Sequence, residues 1–423
     1  MGSVIRHTGK FTLDDRIATS WHYLPVEVPA GTAALRVTLS YPADSGAVLD
    51  LGCFDPAGFR GWSGGARDSF VVAEGGATPG YLPGPVPAGL WQVIIGVHLV
   101  PAEGVPFTVT AEALSVGAID AGGAAAAGVG AGGVAGFAGL GGAMPPVPAD
   151  RPARRALPAP AGMTWLAGDL HAHTEHSDGV LSVAELASFA VTQGLDFVAV
   201  TDHNTVSHHA SLGPASSRYG VTLLPGQEVT TVSGHAGVLG DTGWIDFREP
   251  AASWLTAAEA AGGLMSVNHP FAGPVSWLHP MPRRPPLLEV WHWSWLDLSW
   301  TTPLSWWQAW DPAAIPVGGS DWHRPGSDAP VGTPTTWVLC ADRSVAEVLD
   351  GVRAGRVAIS ATRDGPLLLR QQDELLAVDA DGLVLAGPSG PYLRISGDLV
   401  RLPGAAGYQR LLTPAGATLA LTP

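Results

Sequence analysis

Short runs of alternating apolar and polar residues fill roughly the first quarter of the chain. Leu35-Arg36-Val37-Thr38-Leu39, Ala47-Val48-Leu49-Asp50-Leu51 and Trp91-Gln92-Val93-Ile94-Ile95 alternate with period two, with Gly, Pro and Asp turns between them. That is the pattern of half-buried strands. About eight such strands over residues 10–115 predict a β-sandwich. From Ala121 to Gly142 the chain is nearly pure Gly and Ala, then proline-rich through Pro160. This composition predicts a flexible linker followed by a stiffer spacer. A helical alanine stretch is the rival, but each interspersed glycine weakens it by about 1 kcal/mol.

After Met163 strands and helices alternate. Ser182-Val183-Ala184-Glu185 reads as a capping box, so a helix is expected from Val183 to about Gln193, stopping at Gly194. Its apolar positions Val183, Leu186, Ala187, Ala190 and Val191 keep the helical period. Phe197-Val198-Ala199-Val200-Thr201 then reads as a strand buried on both faces, as in a parallel sheet. Further strands are expected at Val221–Leu224, Leu264–Val267, Leu288–Trp293, Ile315–Gly318 and Thr335–Leu339, with a helix at Ala251–Ala261. A second box, Ser344-Val345-Ala346-Glu347, opens a helix ending near Gly355. This is the rhythm of an α/β barrel, whose chemistry sits at the C-terminal ends of its strands. Beyond about Arg363 short β runs return. The expected division is a β-sandwich accessory domain over 1–115, a Gly/Ala/Pro-rich linker over 116–160, a barrel over 161–362 and a small β appendage over 363–423.

Composition narrows the function. At 423 residues, with 46% hydrophobic and 14% charged residues, the chain can fill two or three sizeable cores. A formal net charge of -15 repels a phosphate backbone, so no nucleic-acid partner is expected. No apolar run approaches a membrane span and Met1–Phe11 has no signal-peptide core. Cys53 and Cys340 form no disulfide framework, which fits a reducing cytoplasm.

The candidate chemistry gathers at the expected strand ends. His171 and His173 stand two apart at the end of an apolar run and so point the same way. Alone, such a pair could be metal ligands or simply core or surface histidines. The chain then repeats the device: Thr201-Asp202-His203, Gly226-Gln227-Glu228, Ser233-Gly234-His235, Asn268-His269-Pro270 and Ser320-Asp321-Trp322-His323. Five further strand ends bearing ligand-type residues at the active face of a barrel are hard to reach by chance.

In this order the motifs resemble the PHP (polymerase and histidinol phosphatase) metallohydrolases. Gln227-Glu228-Val229-Thr230-Thr231 followed by Gly234-His235, with an N-terminal β domain, resembles the branch named for the carbaryl hydrolase CehA/McbA. The resemblance covers about Trp165 to Ser360. It implies an α/β fold with a distorted seven-stranded PHP barrel and two or three divalent ions. His171, His173, Glu228 and Asp321 would hold the first, and Glu228 would bridge to a second held with His235 and His269. Asp178, His203 and His323 would hold a third, although Asp178 stands where some members have histidine. Six imidazoles and three carboxylates without a thiolate suit zinc, manganese or iron. Three divalent ions less three carboxylates leave roughly +3, which can hold an anionic group inside an acidic protein. A water bridging two ions loses its proton near neutral pH and becomes the nucleophile. The barrel has no lysine to offer a carboxylated bridge, Lys10 being the chain's one lysine.

Around this set, Asp202 is expected to orient a ligand histidine. His176 is a general acid or an exposed loop residue, and Arg324 a phosphate clamp or a solvated side chain. His208 and His209 read as helix-surface residues. Trp277, Trp291, Trp293, Trp295, Trp300, Trp306, Trp307 and Trp310 are half of the sixteen tryptophans. Alternation sends Trp291 and Trp293 to one face and His292 to the other, toward the site. The tryptophans form either a wall for an aromatic substrate moiety or packing against the β domain or a second subunit of a homo-oligomer. The expected activity is hydrolysis of a small phosphate mono- or diester by a metal-bound hydroxide. A carbamate or carboxylic ester on the same site is the alternative, and a non-catalytic binding or structural protein a third.

Overall fold

The computed structural model describes residues 3–115, 144–326 and 329–423. The Gly/Ala segment Ala121–Gly142 lies outside them. The chain forms two units: one contains the N-terminal strands together with the short segments 175–178 and 203–208, the other the remainder from Pro145.

In the first unit, period-two alternation becomes two antiparallel sheets. One runs Val4–Phe11, Val105–Leu114, Ala34–Ser40, Ser69–Ala73 and Gly76–Ala77; the other runs Trp21–Val28, Gly89–Leu99, Val48–Asp55 and Gly58–Gly64. Val105–Leu114 shows the cause directly, since Val105, Phe107, Val109, Ala111 and Ala113 are buried and their neighbours less so. Leu35, Leu51, Phe70, Trp91 and Val109 belong to one shared core. Burying each such side chain contributes roughly 1.5–3 kcal/mol.

The second unit is built on one long ladder. Its first seven strands lie in the order Ile315–Gly319, Leu287–His292, Leu264–Asn268, Gly234–Leu239, Thr222–Thr231, Phe197–Val200 and Thr164–Ala172. All adjacent pairs are parallel except around Gly234–Leu239, which is antiparallel to both neighbours. The chain after Ile315–Gly319 also returns to the opposite end of this set. Trp322 forms a parallel bridge to Ala172, His173 N–H donates to the Trp322 carbonyl at 2.9 Å, and Asp321 N–H donates to the His171 carbonyl at 2.9 Å. Past Thr164–Ala172 the ladder continues through Thr335–Cys340 and Val357–Ser360 into Thr418–Thr422, Gln409–Leu412, Val384–Gly387 and Gly390–Arg394, while Leu367–Gln371, Glu374–Val378 and Leu399–Pro403 form a separate sheet.

Local sequence signals account for the helices. Val183–Thr192 starts on a reciprocal box: Ser182 Oγ accepts the Glu185 N–H, and the Glu185 carboxylate accepts the Ser182 N–H. It stops where Gly194 takes φ +72°. The second expected box is only half made. Ser344 Oγ accepts the Glu347 N–H, but the Glu347 carboxylate accepts from Ala341 N–H. Arg151 and Arg154 of the proline-rich stretch both reach the Asp196 carboxylate, at 3.5 and 2.7 Å. Among the described residues no helix is long and apolar enough to cross a membrane.

Candidate metal centre

The Thr164–Ala172 strand is buried from Trp165 onward and delivers His171 and, just past its end, His173. Asp169, on the same strand, fixes that delivery. Its carboxylate accepts from the backbone N–H groups of His171, Ser320 and Gly332 and from the Ser320 hydroxyl. The strand end is thereby tied to the segment that carries Asp321.

His171, His173, Glu228 and Asp321 converge, with all four donor atoms within 4.8 Å of one another. His171 Nε2 lies 3.1 Å from Glu228 Oε1, 3.1 Å from Asp321 Oδ1 and 3.1 Å from His173 Nε2. On the other side of the ring, His171 Nδ1 lies 2.9 Å from Glu289 Oε1, whose partner oxygen accepts the His269 N–H at 2.8 Å. A proton on Nδ1, donated to Glu289, leaves a lone pair on Nε2. That lone pair faces two carboxylate oxygens and a second imidazole nitrogen, an arrangement that repels itself without a cation among the four. Carboxylate behind imidazole behind cation is the arrangement by which a metal-binding histidine is oriented. The donor set fits a divalent ion.

Glu228 spans two groups of imidazoles. Its Oε1 accepts from Asn268 Nδ2 at 2.9 Å and lies 3.2 Å from His269 Nε2 and 3.4 Å from His235 Nδ1, while Oε2 lies 3.6 Å from His173 Nε2. Glu228 would thus be available to more than one ion. His269 Nδ1 is buried without a hydrogen-bond partner, and an imidazole nitrogen so placed costs free energy unless something binds it. His269 and Asp321 adopt φ +26° and +50°, a region non-glycine residues enter at a cost of roughly 1–3 kcal/mol, tolerated where it serves a site.

The charges respond to each other. Burial works to lower the basicity of His171, yet Glu228, Asp321 and Glu289 hold it well above the usual imidazole range. His269 is likewise raised, against burial, chiefly by Glu228. Burial opposes ionisation of Asp321 and Glu289, but His171 holds the first well below and the second below the ordinary carboxylate range.

His292 has a different task from the one its strand position suggested. Ser294 N–H points at His292 Nδ1 at 3.2 Å, which puts the ring proton on Nε2, 3.2 Å from Asp321 Oδ2. His292 thus holds Asp321, whose other oxygen faces His171 and His173. His323 donates from Nδ1 to the Asp321 carbonyl at 2.7 Å and stacks on His173 at 4.2 Å. In the first unit, Asp178 Oδ1 lies 3.5 Å from His203 Nε2, and His176 Nδ1 lies 2.7 Å from the Ser207 hydroxyl. Burial pushes the Asp50 carboxyl of the sandwich up to about 7, with His203 acting in the other direction.

Several expectations change. Asp202 accepts from the Thr174 N–H at 2.9 Å and from the Thr174 hydroxyl at 2.6 Å. The carboxylate on His171 is that of Glu289. Strict alternation places Glu289 with Trp291, away from His292, but a register shift between Glu289 and Trp291 turns both Glu289 and His292 to the site. The visible signal was a lone acid inside the apolar run Leu287–Trp291. Arg324 is exposed, and His208 is fully buried instead of lying on a helix surface. The tryptophans divide: Trp277, Trp291, Trp295 and Trp307 are packed inside, Trp306 stacks on Trp310, and Trp293 and Trp300 are exposed. Trp293 sits 5.1 Å from the His292 ring.

Residues 169–267 match the PHP domain. A 5'-3' exoribonuclease from Haemophilus influenzae is similar, 40% identical over 63 residues, which is 15% of this chain and 23% of that protein. The 5'-3' exoribonuclease Rnm of Escherichia coli is 41% identical over 66 residues, 15% of this chain and 22% of that protein. The chain thus spans less than a quarter of the length of these relatives. Among solved structures, it resembles a two-domain protein containing a predicted PHP-like metal-dependent phosphoesterase from Bacteroides vulgatus, with TM-score 0.44 and 17% identity over 65% of this chain and 99% of that one. An amidohydrolase from Chromobacterium violaceum aligns over 38% of this chain and 89% of its own, with TM-score 0.28 and 16% identity. The PHP match begins at Asp169 and takes in His171, His173 and Glu228; His269, Glu289 and Asp321 come after it.

Proposed function

We propose that the chain is a metal-dependent hydrolase of phosphate esters, its PHP domain completed into a distorted seven-stranded barrel and belonging to the CehA/McbA-like branch. The observation that carries this is His171, held through Nδ1 by Glu289 so that Nε2 faces Glu228, Asp321 and His173. His171, His173, Glu228 and Asp321 would hold one ion of zinc, manganese or iron, and Glu228, His235 and His269 a second. Asp178 and His203 would share a further one. Bound there, the ions would activate a water and polarise the ester oxygens. The protein's own part is orientation: Glu289 fixes the tautomer of His171, His292 fixes Asp321, and Asn268 fixes Glu228. His176, half-buried on Ser207, is the proposed proton donor to the leaving oxygen. Trp293, half exposed one ring away from His292, favours a small substrate with a flat apolar moiety.

Elemental analysis of protein purified without chelator should find at least two transition-metal ions per chain. With manganese or zinc added, p-nitrophenyl phosphate or its bis-ester should be hydrolysed faster than a naphthyl carbamate or a short oligoribonucleotide. Faster carbamate hydrolysis would move the reading to the ester alternative, and absence of metal would end it.

A further inference from the structure

Two chain segments that carry candidate ligands, 175–178 and 203–208, are bound by the sandwich itself. The Arg67 guanidinium, in the turn after Gly58–Gly64, donates from Nη1 to the Ser177 carbonyl at 3.0 Å and from Nη2 to the Glu175 carbonyl. A planar fork across two alternate carbonyls fixes a backbone in a way that a single ammonium cannot. Gly80 holds the other segment through both of its backbone groups. Its N–H donates to the Ser207 hydroxyl at 3.1 Å and its carbonyl accepts from the Thr205 hydroxyl at 2.8 Å. Glycine is required there: φ is +100°, and a Cβ would stand 2.7 Å from the Trp62 carbonyl oxygen and 3.0 Å from that of His176. Ser207 Oγ in turn meets His176 Nδ1, which ties the two segments together. The result is that Asp178 Oδ1 and His203 Nε2 stand 3.5 Å apart, close to the ~3.4 Å separating two ligands of a tetrahedral ion at ~2.0–2.1 Å each.

We infer that the N-terminal sandwich builds an ion site within its own unit, with Arg67 and Gly80 setting the two segments so that Asp178 and His203 share one ion. This rests on the metal-dependent reading above. It makes the sandwich a metal-holding element in its own right instead of an appended scaffold or a sugar-binding module. Arg67 touches no candidate ligand side chain; it acts through the backbone.

The test is manganese titrated into the metal-free full-length chain, with bound ion counted after dialysis. Arg67→Ala, and separately Thr205→Val, should weaken one class of ion by about 10–100-fold, as loss of supporting contacts does, and excess manganese should restore it. Arg36→Ala, which removes an exposed pair with Glu112 on the same sandwich, should bind as the unaltered chain does. Unchanged manganese binding by both test variants would overturn the inference and leave the metal reading standing. No manganese bound by the unaltered chain would overturn both. Should Arg67→Ala fail to fold, Thr205→Val carries the test, since it exchanges one hydroxyl for a methyl.

Discussion

The two units bury their side chains for opposite reasons. The sandwich core is apolar: Leu35, Leu51, Phe70, Trp91 and Val109 are removed from water. At the strand ends of the second unit, His171, His173, Glu228, His269 and Glu289 are equally removed from water. Burying ionised groups costs several kcal/mol each, and their mutual attraction often does no more than offset it. A core of leucines would hold these strands together at least as well. The polar cluster is therefore explained by what it can bind, and the apolar one by stability.

The sharpest way to break that contrast is Glu228→Gln. It should take metal content down and bring hydrolysis to the level of free metal ions in buffer, because one oxygen can no longer carry the charge that two imidazole groups face. Elemental analysis and initial rates on the same preparation check it. Retention of both metal and rate would show that Glu228 is merely one more buried acid.

Glu289→Gln comes next. The amide keeps the size and its one oxygen can still accept from His171 Nδ1, but the charge behind the imidazole is gone and the NH2 group faces the His269 N–H. Loss of such a partner costs about 10–100-fold in metal affinity or activity. The expected signature is a raised manganese requirement with the maximal rate largely recovered at saturation.

Glu289 also marks where sequence reading stops. His171, His173, Glu228, His269 and Asp321 were legible because each closes a short apolar run with a ligand-type residue, and period two fixes which way it points. The helices were legible from their caps, as Ser182 and Glu185 illustrate. Glu289 was not, because a register shift of one residue reverses faces and nothing local announces it, whereas His292, read as facing the site, does meet Asp321. Asp169 was hidden for a related reason: its partners, Ser320 and Gly332, lie more than 150 positions away and meet it only when the ladder doubles back. Ser344 shows the same limit at short range, since Ala341 competes for the Glu347 carboxylate that a box would need.

Acidity gives a smaller, graded effect. In the metal-free chain the raised imidazoles of His171 and His269 stabilise the fold fully below their ordinary value of 6.5, a contribution lost as pH rises through their folded values. Asp321 and Glu289 run the other way: their contribution is present above about 4 and disappears as pH falls through their lowered values. A cation must displace the imidazole protons. Metal affinity should therefore climb with pH by about tenfold per unit for each proton displaced, until the imidazoles are neutral. Isothermal titration between pH 6 and 8 in buffers of different ionisation enthalpy would count those protons, and a pH-independent affinity would sink the charge assignment.

The smallest effect on chemistry should come from the largest apolar insult to the sandwich. Leu35 is fully buried, pairs across to Val72 and Ala113, and touches neither Arg67 nor Gly80 by sequence or by register. Leu35→Ala removes buried methyl groups and leaves a void, which costs about 2–5 kcal/mol. Denaturant unfolding should show that loss, while the rate per folded molecule and the metal count stay those of the unaltered chain. If metal content falls with Leu35→Ala as it does with Arg67→Ala, the sandwich acts on the site through its overall stability, and the separation between an apolar unit that holds shape and a polar centre that holds charge gives way.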